Sequence, residues 1–180
     1  MHVNLTPRTH THARTRTQVG SGRTCLPYPF PGCAHHAEPT PEVPACPEED
    51  YETPRCRITC SEREYETAYL MDKQKAKRAY SLRKSVEAIQ REIMEEGPVT
   101  AAFTVYQDFL TYAGGVYQHA AGTPLGGHAV KIIGWGEDET AAWWLVQNQW
   151  GELWGEKGLF RIVRGQNECG IEEEITAGTV

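Results

Sequence analysis

The sequence predicts an α+β domain built on an antiparallel sheet. One amphipathic helix opens at Ser85, and a series of short apolar runs, separated by Gly, Asp/Glu and Asn turn signals, follows it to the C-terminus. All five tryptophans lie between Trp135 and Trp154, which places the aromatic core in the C-terminal half.

Residues 1–24 carry four arginines, no acidic side chain and neither helical nor strand periodicity. They lack the apolar stretch of a signal peptide, and an unstructured extension is expected. Residues 25–60 hold five of the six cysteines, and eight of the eleven prolines lie between Pro27 and Pro54. That density reads as a loop region stapled by disulfides, and hence an oxidising compartment. Residues 61–84 are polar and without a clear period. Ser85 then supplies an N-cap, and Glu87 sits in the first turn beside the positive end of the helix dipole. Val86, Ile89, Ile93 and Met94 recur at helical spacing, and Gly97-Pro98 stops the helix. Strands are expected at 99–106, 115–117, 129–135, 143–147, 159–163 and 171–177. Residues 61–180 form the main domain of this scheme.

Composition removes several classes of function. The chain has 180 residues, 39% of them hydrophobic, which is enough to build a core. Its 18 basic and 24 acidic side chains give a net charge of −6, and leaving out the first 24 residues takes this to −10. A nucleic-acid binder would show a basic footprint. No apolar run approaches the roughly 18 residues of a membrane span. No cofactor or metal motif is present, so none is expected.

Two residues stand out as carriers of chemistry. His128 follows Gly126-Gly127 and opens an apolar run, and a His at such a strand mouth can serve as a general base. Taken alone, such a His is more often structural. Asn148 ends the run Trp144–Gln147. An Asn there is usually a turn-former, yet it can also hold an imidazole in one tautomer without adding charge. Trp150 can shield that bond from water. The 20-residue separation suits neighbouring strands joined by the turn at 136–142.

Together, Gly126-Gly127-His128-Ala129 and Gln147-Asn148-Gln149-Trp150-Gly151, with Trp154-Gly155 and Gly158, resemble the His and Asn signatures of papain-like cysteine proteases. The likeness narrows to the cathepsin B group through Cys25-Leu26-Pro27-Tyr28, Cys33-Ala34-His35-His36, Arg55–Cys60, Gly97-Pro98-Val99, Gly115–His119 and Cys169-Gly170-Ile171-Glu172. It runs from about Cys25 to the C-terminus. Two departures stand out. Gln149 replaces the usual Ser or Thr. No Cys-Gly-Ser-Cys-Trp nucleophile motif and no upstream oxyanion-hole Gln occur in these 180 residues.

The resemblance implies a papain-like fold represented mainly by its antiparallel β half-barrel, the right lobe. The occluding-loop region is added to it, and the nucleophile lobe is largely missing. It implies His128 and Asn148 as catalytic residues with Trp150 in support, and His35 and His36 of the occluding loop as receivers of a substrate's terminal carboxylate. Ala102, Ala129 and Glu174 would wall the S2 pocket. Val105, Leu110, Leu125 and Trp150 would form the primed-side wall. Cys25–Cys60 and Cys33–Cys46 would be disulfides, leaving Cys56 free and Cys169 non-catalytic.

The occluding loop contains neither Arg nor Lys, and Leu153 stands where the group has an acid. A weakly latched loop, tilting a complete enzyme toward endopeptidase action, is therefore expected. An exposed apolar face is expected where a nucleophile lobe would pack.

The implied activity is hydrolysis of peptide bonds, as endopeptidase and peptidyl-dipeptidase, in a lysosomal or extracellular setting. The implied partners are peptide or protein substrates, cystatin-like inhibitors and the missing N-terminal lobe. No nucleic acid and no membrane belong among them. This chain alone is expected to be inactive. The alternatives are a catalytically inactive binding or decoy homologue and a truncated gene-model fragment.

Overall fold

The computed structural model describes residues 24–49, 51–73 and 75–179, so the segment 1–23 lies outside the described residues. These residues fall into two compact units, and segment 25–60 contributes to both.

The described part of the first unit comprises residues 24–31 and 51–73. A Cys25–Cys60 disulfide closes it, beside a backbone bond from Ser61 N–H to the Cys25 carbonyl (2.9 Å). Phe30 stacks on Tyr51 at 4.5 Å and meets Tyr28 edge-on at 5.5 Å. A single helical turn, α1 (Tyr69–Asp72), ends it, with the Tyr65 hydroxyl donating to the Asp72 carboxylate.

The second unit comprises 32–49 and 75–179. Its strands are β1 (Arg78–Ser81), β2 (Val99–Tyr106), β3 (Val116–Tyr117), β4 (Pro124–Glu137), β5 (Ala142–Gln147), β6 (Leu159–Val163) and β7 (Glu174–Thr179). They form one sheet in the order β1-β7-β2-β4-β5-β6-β3. Every pairing is antiparallel except β3 with β6, which runs parallel and makes the sheet mixed.

Helix α2 (Val86–Glu95) starts as its cap dictates: Ser85 Oγ accepts from Ala88 N–H at 3.2 Å. Its end is closed by Glu96 and Gly97 N–H, which both donate to the Glu92 carbonyl. Gly97 has φ +118°, which glycine adopts freely. Ile89 is fully buried, and Val86 and Ile93 pack against the core. Met94, expected on the same face, is 71% exposed. At about 100° per residue it lies about 80° beyond Val86, on the side away from Ile89.

β2 alternates as a half-buried strand should, with Val99, Ala101, Phe103 and Val105 buried and the residues between them turned outward. β4 is longer than its apolar run, because pairing with β2 carries it back through Gly126-Gly127 to Pro124. β7 begins later than expected. A 3₁₀ turn at Glu168–Gly170 and the inward bonds of Glu172 occupy the start of that segment. Trp144, Trp154, Phe109 and Phe160 are its largest fully buried side chains.

The expected exposed apolar face takes a different form. Opposite the core, β2 and β4 present small and polar side chains: Thr100, Ala102, Thr104, Ala129 and Lys131.

Candidate active site

His128 stands on β4 directly across from Phe103 of β2, and Asn148 immediately follows β5. Their side chains meet, His128 Nε2 to Asn148 Oδ1, at 2.9 Å. The proton's position follows from a second bond. The backbone N–H of Gln149 also donates to Asn148 Oδ1 (2.9 Å), so that atom is an acceptor. His128 Nε2 therefore carries the hydrogen, which leaves Nδ1 with the lone pair of a base.

Asn148 is 7% exposed, and its own backbone N–H donates to the Gly158 carbonyl (3.0 Å). The Trp150 ring stacks on the imidazole at 5.2 Å and 29°. Trp150 is itself wedged against Phe109 and Trp154. The turn behind it needs Gly155: φ is +58°, and a Cβ there would lie 2.7 Å from the Leu159 carbonyl oxygen.

A cavity of about 300 Å³ opens beside His128. Val105, Leu110, Leu125 and Trp150 line it together with Gly126, His128, His35 and His36. A Cβ at Gly126 or Gly127 would meet nothing within 4 Å, so the approach to His128 stays open. The segment bearing His35 and His36 is closed by the Cys33–Cys46 disulfide and by a 2.7 Å bond from Ala34 N–H to the Pro44 carbonyl. The two imidazoles lie 4.1 Å apart and rest on the Trp150 ring, His36 at 4.5 Å and His35 at 5.5 Å. Among the described residues no ion pair ties segment 32–49 to the sheet, and Leu153 is 51% exposed.

Burial lowers the pKa of His35, and the neighbouring His128 lowers it further. Burial followed by His35 and His128 does the same for His36. Both folded values fall below the unfolded one, about 6.5. The loop contact is therefore at full strength above that pH, and it weakens as pH falls through 6.5 toward the folded values, because the unfolded loop takes up protons first.

Glu174, Ala102 and Ala129 form one row across three neighbouring strands: Ala102 is the Cα partner of Glu174 on β7 and of Ala129 on β4. Directly opposed residues share a sheet face, so the three stand together on the side away from the core.

Glu172 reads as part of an acidic edge in Glu172-Glu173-Glu174, but it is buried. It accepts from Trp144 Nε1 (2.8 Å), Gly165 N–H (2.6 Å) and Asn167 N–H (3.0 Å). Asp108 gathers the Tyr117 hydroxyl (2.7 Å), His119 Nδ1 (3.1 Å), and the N–H groups of Ala120 (2.9 Å) and Ala121 (3.1 Å). Burial works to raise its pKa, yet these donors hold the carboxyl well below the usual range. The Asp108 bonds are structural: they close the loop between β3 and β4.

The Cys169 thiol is pushed up to about 12 by burial and by its bond to the Glu168 carboxylate (3.3 Å). That is the reverse of what a nucleophile needs. Cys56 is exposed and unbridged. At pH 8, iodoacetamide is expected to alkylate Cys56 at least about a hundredfold faster than Cys169, because only the thiolate reacts. Peptide mapping against time checks this, and equal rates would contradict it.

Among the described residues no group of three His, Cys, Asp or Glu side chains is placed to hold a metal ion, and no helix is long and apolar enough to cross a membrane.

This arrangement has close counterparts. The profile of the papain family cysteine proteases matches residues 20–179. A cathepsin B-like cysteine proteinase of Schistosoma japonicum is 49% identical over 156 residues, covering 87% of this chain and 45% of its own length. Cathepsin B-like cysteine proteinase 3 of Ostertagia ostertagi is 49% identical over 156 residues, covering 87% of this chain and 88% of its own. The solved structure of proCathepsin B S9 from Trypanosoma congolense matches with a TM-score of 0.70 at 38% identity, over 85% of this chain and 46% of that one. The chain thus spans less than half the length of the first and third of these. With a papain-like fold and sequence identity near one half, the chain belongs to the papain family of cysteine proteases, in its cathepsin B-like group.

Proposed function

We propose that this chain supplies the base, the orienting amide and the carboxylate-receiving loop of a cathepsin B-like peptidase, whose nucleophilic thiol must come from a segment outside these 180 residues. The observation that carries this is the bond from His128 Nε2 to Asn148 Oδ1, on a histidine that lines an open cavity and keeps its Nδ1 clear of that bond. A thiol delivered to Nδ1 would rest as thiolate beside imidazolium. The thiolate attacks the peptide carbonyl, His128 returns its proton to the leaving amine, and His128 then activates water to release the acyl group. Asn148 holds the ring throughout, and Trp150 keeps water from the bond that does so. Two disulfides favour an extracellular or lysosomal setting.

His35 and His36 give the site its exopeptidase character. A substrate's C-terminal carboxylate offsets the burial penalty on proton uptake, so binding draws both imidazoles to their charged form. In the 180-residue chain, a short peptide with a free C-terminus is expected to raise the titration midpoints of both residues, by NMR, by about half a unit or more. An amidated peptide should leave them where they are. Equal shifts with both peptides would remove the carboxylate role. Among the described residues the loop meets the sheet through ring contacts and no ion pair, which supports easier displacement by long substrates and a larger endopeptidase share.

Sequencing the transcript upstream of Met1 tests the main proposal. A Cys-Gly-Ser-Cys-Trp coding segment joined in frame supports it. A capped transcript that begins at Met1 and yields stable protein favours a binding or decoy homologue with the same cavity.

A further inference from the structure

The backbone ladder between β4 and β5 ends, on the side of the site, at the pair Lys131–Gln147. Continuing that register would oppose Ala129 with Gln149. Instead the strands part, because Asn148 N–H turns away to the Gly158 carbonyl. A cavity of about 300 Å³ opens in the gap, lined by Thr100, Ala129, Lys131, Gln147, Asn148 and Gln149. Two side-chain bonds still cross the parting. One is His128–Asn148; the other runs from Gln149 Nε2–H to the Ala129 carbonyl at 2.9 Å. The backbone N–H of Gln149 meanwhile donates to Asn148 Oδ1.

We infer that Gln149 is a positioning residue. Its main chain holds the Asn148 amide, and its side chain holds the residue next to His128. It thereby ties together the two strand ends that carry the dyad, at the point where the ladder no longer does so. The family pattern has Ser or Thr here, and a hydroxyl on Cβ stops short of the Ala129 carbonyl. The tie is therefore a feature of this chain rather than of the family pattern. The inference rests on His128 and Asn148 being the working pair, and it concerns how steadily they are held, not whether a thiol reaches them.

The test uses the ¹⁵N-labelled 180-residue chain and needs no turnover, so failure of the peptidase proposal and failure of this one are separately visible. The readouts are the His128 tautomer and the solvent exchange rate of its Nε2 proton. Gln149→Ser loses the reach. Gln149→Glu keeps the length but, as a carboxylate, has no hydrogen to donate. Each is expected to speed exchange about three- to tenfold, the usual scale for one net hydrogen bond, and to reduce the Nε2–H tautomer. Gln149→Lys restores a donor and should return the rate to within about twofold of the original.

The Trp144 indole N–H, bonded to Glu172, serves as the fold reference in every variant. If Gln149→Glu disturbs that reference, Gln149→Ser decides, since Ser is the residue the family pattern carries. Exchange unchanged within about twofold in the variants that keep the reference signal would overturn the inference. So would an unshifted tautomer in those variants.

Discussion

Glu172→Ala is expected to destabilise the sheet unit by about 3–4 kcal/mol, lowering the thermal midpoint by roughly 10 °C or more. The carboxylate accepts three N–H groups, and their fates on its removal differ. Gly165 and Asn167 are exposed, so their amides find water. The Trp144 indole is completely buried, and among the described residues its Nε1–H has only Glu172 to meet. An orphaned buried donor costs about 1–3 kcal/mol by itself, and each lost charge-assisted bond adds to that.

The turn at Gly165–Asn167 loses its anchor too, since Asn167 Oδ1 accepts from Glu172 N–H in return (3.1 Å). Asn167 sits at φ 52°, a conformation that anchor helps to hold. Glu172→Gln separates shape from charge. It keeps one acceptor for Trp144 but turns an amide toward the N–H of Asn167, so about half the loss is expected. Thermal unfolding followed by near-UV circular dichroism measures both variants. A change below about 1 kcal/mol for Glu172→Ala would show that the carboxylate is a solvated edge after all.

That residue also marks where the sequence stops being legible. Local signals define the helix apart from the side Met94 takes: the Ser85 cap, the spacing of Val86, Ile89 and Ile93, and the Gly97-Pro98 stop are all short-range chemistry. β1 is not legible in the sequence because its partner is β7, about a hundred residues away, and nothing within 78–81 announces that pairing. The parallel partnership of β3 and β6 is hidden for the same reason. Glu172 stands in a run of three acids that any reading of composition places in solvent. Only the fold turns the first of them onto a buried tryptophan and leaves Glu174 outside.

The candidate site divides in the same way. His128 and Asn148 were legible as motifs, since the flanking glycines and tryptophans are local. The row of Glu174, Ala102 and Ala129 exists only as register across three strands. Gln149 was visible as a departure from a pattern, but its bond to Ala129 depends on the strands parting after Lys131–Gln147.

The 180-residue chain is expected to show no measurable hydrolysis of dipeptide-releasing or endopeptidase substrates. On the proposed reading the base has no thiol within these 180 residues to activate. Without an activated thiol there is no acyl-enzyme, and the difficult step stays undivided. Without the oxyanion-hole side chain, a further factor of about 10²–10³ is lost.

Neither described free cysteine offers a substitute. Cys169 is held as a thiol near 12, and Cys56 lies in the disulfide-closed unit with its side chain open to water. On the proposed reading the cavity, the His128–Asn148 pair and the two loop imidazoles would bind and orient a peptide, so binding without turnover is the expected combination. An electrophilic thiol probe gives the decisive measurement. Slow labelling of Cys169 and simple surface labelling of Cys56, neither competed by peptide, fit the proposal. Stoichiometric labelling of Cys56 or Cys169 that peptide competes away, or turnover abolished by His128→Ala, would mean that the chain assembles a working thiol site from its own residues. In a longer protein carrying the Cys-Gly-Ser-Cys-Trp segment, the same His128→Ala change is expected to cost at least about 10³ in kcat, because removing one member of such a set removes nearly all it does as a unit.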